Sequence, residues 1–257
     1  MSGVLDEEGF RPGDEAGRGQ QPGGGPGTGD VTVFDFRELE GTGCYCDAGA
    51  RVVLARAARD FGPGGIHWID TGDYHYLSKF FLDAVGEPFE LLLLDHHSDR
   101  QESAFGGILS CGSWVTEALT SNHNLKSVVS IGPETEGPSS ENTQQFPETG
   151  DRANAGFQEV TPSAESAEPA EPAELPLYIS IDLDVLAPEV FTTNWDQGSM
   201  TALQLEAALS AFRNRRILGV DICGGLTSEK GATPATLSRN LAFRRRLLAF
   251  LCRNLHI

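Results

Sequence analysis

Leu91–Arg100, LLLLDHHSDR, is the stretch from which the rest of the chain is read. Four consecutive leucines have no polar face and are too few for a helix, so they predict a short strand buried on both sides, as in the middle of a parallel sheet. The run stops abruptly at Asp95, His96, His97, Ser98 and Asp99. In open α/β sheets ligands bind beyond the carboxyl ends of the strands, and here that end carries carboxylates and imidazoles. In extended chain alternate side chains share a face, so Asp95, His97 and Asp99 are expected to converge while His96 points away.

Working outward, strand and helix signals alternate. Upstream, VTVFDF (31–36) predicts a strand, and Leu54, Ala57, Ala58 and Phe61 predict a helix with Asp47 as N-cap and Gly62 as its stop. GIHWID (65–70) predicts a strand, TGDYHY (71–76) a loop, and Phe80, Phe81 and Leu82 a helix. Downstream, AFGGILSCGSW is a glycine-rich loop before a helix near 115–119, and SVVSIG (127–132) a further strand. In LYISIDLDVLAPE (177–189) another apolar strand ends in carboxylates, Asp182 and Asp184. Thr201 and Gln204 have capping-box spacing, ahead of a helix burying Leu205, Ala208, Leu209 and Phe212. The strand RILGVDICGG and a closing helix with Leu241, Leu248, Leu251 and Leu255 on one side complete the chain. Such alternation predicts a parallel sheet covered on both faces.

Two tracts do not fit this pattern. Residues 1–29 hold ten glycines among polar residues, and 133–175 hold ten acidic residues against one basic, Arg152. Neither buries enough apolar surface to offset chain entropy, so both are expected to be disordered. The foldable remainder of 30–257 is then a single domain interrupted by a low-complexity insert at 133–175. The net charge of −18 opposes nucleic-acid and anionic-membrane partners, which need a basic footprint. No basic leader or run of roughly 20 apolar residues is present, and five cysteines form no disulfide framework, so a soluble, cytoplasmic protein is expected. The Cys44-Tyr45-Cys46 pair lacks a second pair at zinc spacing and reads as loop structure.

Five acidic or imidazole groups gathered at buried strand ends would repel one another and lose hydration unless a cation neutralised them. An isolated Asp-X-Asp is more often a turn. Two ligand-rich strand ends within one α/β pattern favour a metal centre. Carboxylate oxygens with imidazole suit manganese first and zinc second, and the absence of thiolate there disfavours structural zinc.

These residues resemble the arginase, agmatinase and formiminoglutamase family, the ureohydrolases. Its Gly-Gly-Asp-His, Asp-Ala-His-X-Asp and Ser-X-Asp-X-Asp signatures are matched, in order, by GDYH (72–75), DHHSD (95–99) and SIDLD (180–184), and GVDICGG (219–225) resembles its fourth. The resemblance implies a three-layer, doubly wound arginase-like fold. It further implies two Mn2+ per chain, one on His75, Asp95, Asp99 and Asp182 and the other on Asp95, His97, Asp182 and Asp184. The implied reaction is attack by a metal-bridging hydroxide on a guanidino, amidino or formimino carbon of a small cationic substrate, with Asp99 as the catalytic residue.

Two departures bear on the substrate. Gly224 stands where the family has a glutamate, and the loop after Asp99 has no histidine, offering Cys111, Gly112 and Ser113 instead. Cys111, Ser113, Asn194, Trp195, Asp221 and Glu229 are the candidates for substrate contact. His67, His96, His123 and His256 receive no role in the chemistry. A catalytically silent metal-binding or regulatory protein and a zinc deacetylase of related fold are the competing readings, and a homo-oligomer is compatible with all three.

Overall fold

The structure, a computed structural model, describes residues 31–103, 106–132, 174–227 and 232–255. In chain order its elements are β1 (Tyr45–Cys46), α1 (Ala48–Phe61), β2 (Ile66–Trp68), α2 (Leu77–Leu82), β3 (Phe89–Leu94), β4 (Leu109–Ser110), α3 (Trp114–Ser121), β5 (Leu125–Ile131), β6 (Leu177–Asp182), α4 (Ala202–Ser210), β7 (Ile217–Cys223) and α5 (Pro234–Asn254). β3 lies between β5 and β6, and the five-stranded sheet runs β2-β7-β6-β3-β5 with every pairing parallel. The short strands β1 and β4 pair antiparallel outside it.

All four leucines at 91–94 are fully buried, and they alternate between two cores. Leu92 and Leu94 join a core with Leu205 and Leu209 of α4 and Phe243, Leu247 and Leu251 of α5. Leu91 and Leu93 join the other, with Leu54 of α1, Phe80 of α2 and Trp114 of α3. Helices therefore cover both faces of the sheet, giving the three-layer, doubly wound arrangement. Each buried leucine contributes about 1.5–3 kcal/mol of transfer free energy, which is why so apolar a strand belongs at the sheet's centre.

Helix starts follow their local chemistry. Asp47 accepts the Ala50 N–H at the head of α1, and Thr201 and Gln204 close a reciprocal capping box on α4. Two expectations need correction. Residues 31–36 form no strand, and Val31 and Val33 are 85% and 80% exposed. Alternating apolar residues cannot become a strand without a partner edge, and here Asp35 turns back to accept the Arg37 N–H. On α5 the buried stripe is Asn240, Phe243, Leu247 and Leu251, while Leu248 is 43% exposed. Steps of three and four residues keep those positions on one face, and Leu248 lies one residue around the helix from it.

The tail at 1–29 and nearly all of the expected insert, up to residue 173, lie outside the described residues. Among the described residues, no helix is long and apolar enough to cross a membrane.

Candidate metal centre

The parallel register sets Leu94 beside Ile181, so the next residues, Asp95 and Asp182, leave adjacent strand ends side by side. His75 enters from the 3-10 turn Gly72–Tyr74, which follows the edge strand β2. Its Nδ1 stands 3.2 Å from Asp95 Oδ2, 3.0 Å from Asp99 Oδ2 and 3.5 Å from Asp182 Oδ2. The His97 Nδ1 stands 2.9 Å from Asp184 Oδ2 and 3.6 Å from Asp95 Oδ1. All six side chains line one cavity of about 270 Å³.

The backbone holds three of the carboxylates by one oxygen each. His97 N–H donates to Asp95 Oδ1, Asp184 N–H to Asp182 Oδ1, and His96 N–H to Asp184 Oδ1. Each Oδ2 is thereby turned towards the imidazoles. Asp99 arrives differently. Its backbone is left-handed (φ 51°), a region aspartate tolerates better than most residues, and its Oδ2 accepts the Trp114 Nε1–H at 2.5 Å. Convergence of 95, 97 and 99 thus comes from a turn, because strand geometry ends at Leu94. Asp184 likewise sits in a 3-10 turn, Leu183–Val185, beyond β6.

The arrangement fits hard divalent cations. Asp95 Oδ2 is buried, and its 3.2 Å contact with His75 Nδ1 falls short of hydrogen-bond geometry, so a cation there would offset its lost hydration. His75 Nε2 is engaged by Ser180 Oγ at 2.9 Å, itself 3.2 Å from Ser78 Oγ, so Nδ1 is the nitrogen turned inward. An outer partner that fixes an imidazole in this way is the usual support of a metal-ligating histidine.

The charges point the same way. Burial, with Asp184 and Asp95 nearby, pushes the Asp182 carboxyl well above the carboxylate range. Burial and then Asp95 raise Asp184 to about 6. Contact with Asp184 and Asp95 raises His97 to about 11. Burial opposes charge on His75, but Asp95 and Asp99 outweigh it and lift its pKa well above that of free imidazole. Protons gather where positive charge is wanted, and divalent cations would compete for the same atoms. Burial also pushes Cys111 up to about 12, keeping it a neutral thiol and a poor ligand.

A family model, described as the arginase family, matches residues 28–224. The chain belongs to the arginase family. An uncharacterised protein of Thermotoga maritima is 31% identical over 160 residues, covering 62% of this chain, and the chain spans 58% of that relative's length. Among solved structures, proclavaminate amidino hydrolase from Streptomyces clavuligerus superposes with a TM-score of 0.58 at 15% identity, over 81% of this chain and 71% of that one. A hypothetical agmatinase from Burkholderia thailandensis gives 0.56 at 14% identity, over 82% and 68%. At such identities the structural likeness speaks for the fold.

The candidate substrate residues of this arginase-family chain separate in space. Cys111 and Trp195 line the cavity beside the six donors. Ser113 faces Ser110, accepting from its N–H and its hydroxyl. Asn194 accepts from the Thr227 N–H. Asp221 is fully buried within β7, accepting the Tyr178 hydroxyl at 2.7 Å and lying 2.8 Å from His67 Nδ1, so neither it nor Asn194 reaches the cavity wall. Glu229 and His256 lie outside the described residues. At Gly224 φ is 93°, and a Cβ there would come 2.3 Å from Asp182 Oδ1. No side chain fits at that position on this backbone.

Sequence reasoning missed Trp114, Ser180 and Asp73. Asp73 Oδ1 accepts from Trp195 Nε1 at 3.0 Å and from Cys44 Sγ at 3.3 Å, tying together two residues of the cavity wall. The serine of the Ser-X-Asp-X-Asp motif was a readable signal for Ser180. Nothing in sequence pairs Trp114 with Asp99.

Proposed function

We propose that this chain hydrolyses linear carbon–nitrogen bonds in a guanidino, amidino or formimino compound, using two manganese ions held by His75, Asp95, His97, Asp99, Asp182 and Asp184. The observation that carries the reading is that these six side chains line one cavity, around a buried Asp95 oxygen that lacks hydrogen-bond geometry with its neighbour His75. His75, Asp95, Asp99 and Asp182 would hold one cation and Asp95, His97, Asp182 and Asp184 the other, with Asp95 and Asp182 shared. Such a pair, when bound, supplies a nucleophile from water near neutral pH and polarises the substrate.

The chain's own residues do the rest. Backbone N–H groups hold Asp95, Asp182 and Asp184 so that the site is built before substrate arrives. Asp99, anchored by Trp114, is the base that orients the nucleophile and passes its proton to the leaving amine. A planar cationic substrate is drawn into a cavity walled by carboxylates, with Trp195 and Cys111 beside it.

The test is metal analysis followed by a turnover screen of the manganese-loaded chain on guanidino, amidino and formimino compounds. About two manganese per chain and a product signal lost in Asp99→Asn are expected. Full activity in Asp182→Asn, or no retained metal, would sink the reading. Retained manganese with a blank screen would favour the silent metal-binding alternative.

A further inference from the structure

At the rim of the cradle stands a second donor set, made of His96, the outer nitrogen of His97, and Asp196. Asp196 Oδ1 is 3.3 Å from His97 Nε2, and its Oδ2 is 3.9 Å from His96 Nε2. One donor atom from each residue lies within 4.8 Å of the other two. We propose that His96, His97 and Asp196 form a further binding site for a borderline divalent cation, zinc, next to the inner pair and joined to it through the His97 ring.

The geometry suits such an ion. A tetrahedral zinc with bonds of about 2.0–2.1 Å holds its donors roughly 3.3 Å apart; the His97 Nε2–Asp196 Oδ1 pair already stands at 3.3 Å, and the His96 donor would be drawn in from within 4.8 Å. Two imidazoles and one carboxylate, with room for water as fourth ligand, form a donor set that zinc takes and that is softer than the carboxylate-rich interior. His96 is buried, His97 is one-third exposed at 33%, and Asp196 is three-quarters exposed at 75%, so the site opens to solvent on one side.

The plain alternative is a surface ion pair between Asp196 and His97. An exposed pair contributes about 0–1 kcal/mol and has no need of His96, yet the two rings stand edge to face at 5.0 Å with both Nε2 atoms near the same carboxylate. His97 presents Nδ1 to Asp184 inside and Nε2 to Asp196 outside. Cations held on both nitrogens would leave the ring as an imidazolate, the protons of Nδ1 and Nε2 both passing to solvent.

The experiment adds zinc chloride to the manganese-loaded full chain, removes unbound metal and counts both metals. Unchanged manganese with about one added zinc per chain is expected. Asp196→Asn and His96→Gln should keep their manganese and bind zinc about a hundredfold more weakly, measured by chelator competition. Zinc taken up against an equal loss of manganese, or held equally by the parent and Asp196→Asn, would overturn the inference. Asp196 is exposed, so its variant reads the site even if His96→Gln fails to fold. The zinc difference between parent and Asp196→Asn remains measurable if no manganese is found, a result that would count against the proposed function and not against the rim site.

Discussion

Replacing Trp114 with phenylalanine removes one N–H from the centre and leaves an aromatic ring in a fully buried slot. The lost bond runs from indole Nε1 to Asp99 Oδ2 at 2.5 Å, and a hydrogen bond to an ionised acceptor is worth about 1.5–3 kcal/mol. Asp99 is only 8% exposed, so water compensates poorly and most of that value should be felt. The smaller ring also leaves space, which destabilises the chain for reasons unrelated to Asp99. A double-mutant cycle with Asp99→Ala, which leaves no acceptor for the indole N–H, removes that contribution, and urea unfolding of the four metal-free proteins should give a coupling of about 1.5–3 kcal/mol. The same slackening of Asp99 should weaken manganese binding by about ten- to a hundredfold. A coupling below about 0.5 kcal/mol together with unchanged manganese affinity would refute the idea that Trp114 orients Asp99.

Ser180→Ala removes the partner of His75 Nε2 and of the Ser78 hydroxyl, so about ten- to a hundredfold weaker manganese binding by calorimetry is expected, with a loss of about 1–3 kcal/mol in stability from the buried groups left unpaired. Gly224→Ala places a Cβ against Asp182 at φ 93°, so a loss of at least about 1 kcal/mol in chemical denaturation is expected, with reduced metal content. A variant as stable and as metal-rich as the parent would contradict that packing. For pH, burial raises Asp184 from 3.8 to about 6 in the metal-free chain. The folded state then binds more protons than the unfolded one, so this group's contribution falls as pH rises from 3.8 through about 6. Manganese replaces those protons, so the gap in melting temperature between loaded and metal-free chain should widen across that window. A constant gap in a melting series would contradict proton–metal competition at Asp184.

The legible parts of this protein were those that depend on local pattern. A leucine run, a capping box and an aspartate N-cap each act within a few residues, and each is found where pattern placed it. The exposed tail at 31–36 misled because an alternating segment looks the same with or without a strand to pair with. On α5, apolar residues outnumber the buried stripe, and only the sheet beneath selects Phe243 and Leu247 over Leu241 and Leu248. Among the candidate substrate residues, Asp221 belongs to a buried contact with Tyr178 and His67 from two neighbouring strands, a pairing no local motif announces.

Sequence alone determined that two apolar strands end in carboxylates and imidazoles, because strand burial and donor chemistry are properties of short segments. Tertiary structure decided how those donors face one another. The parallel register sets Asp95 beside Asp182, a left-handed turn brings in Asp99, and residues distant in the chain, Trp114 and Ser180, hold Asp99 and His75 in place. The physical reason is one of range: propensity and hydrophobic period act over a few residues, whereas orienting a carboxylate to within an ångström needs partners brought in by the packing of the whole sheet.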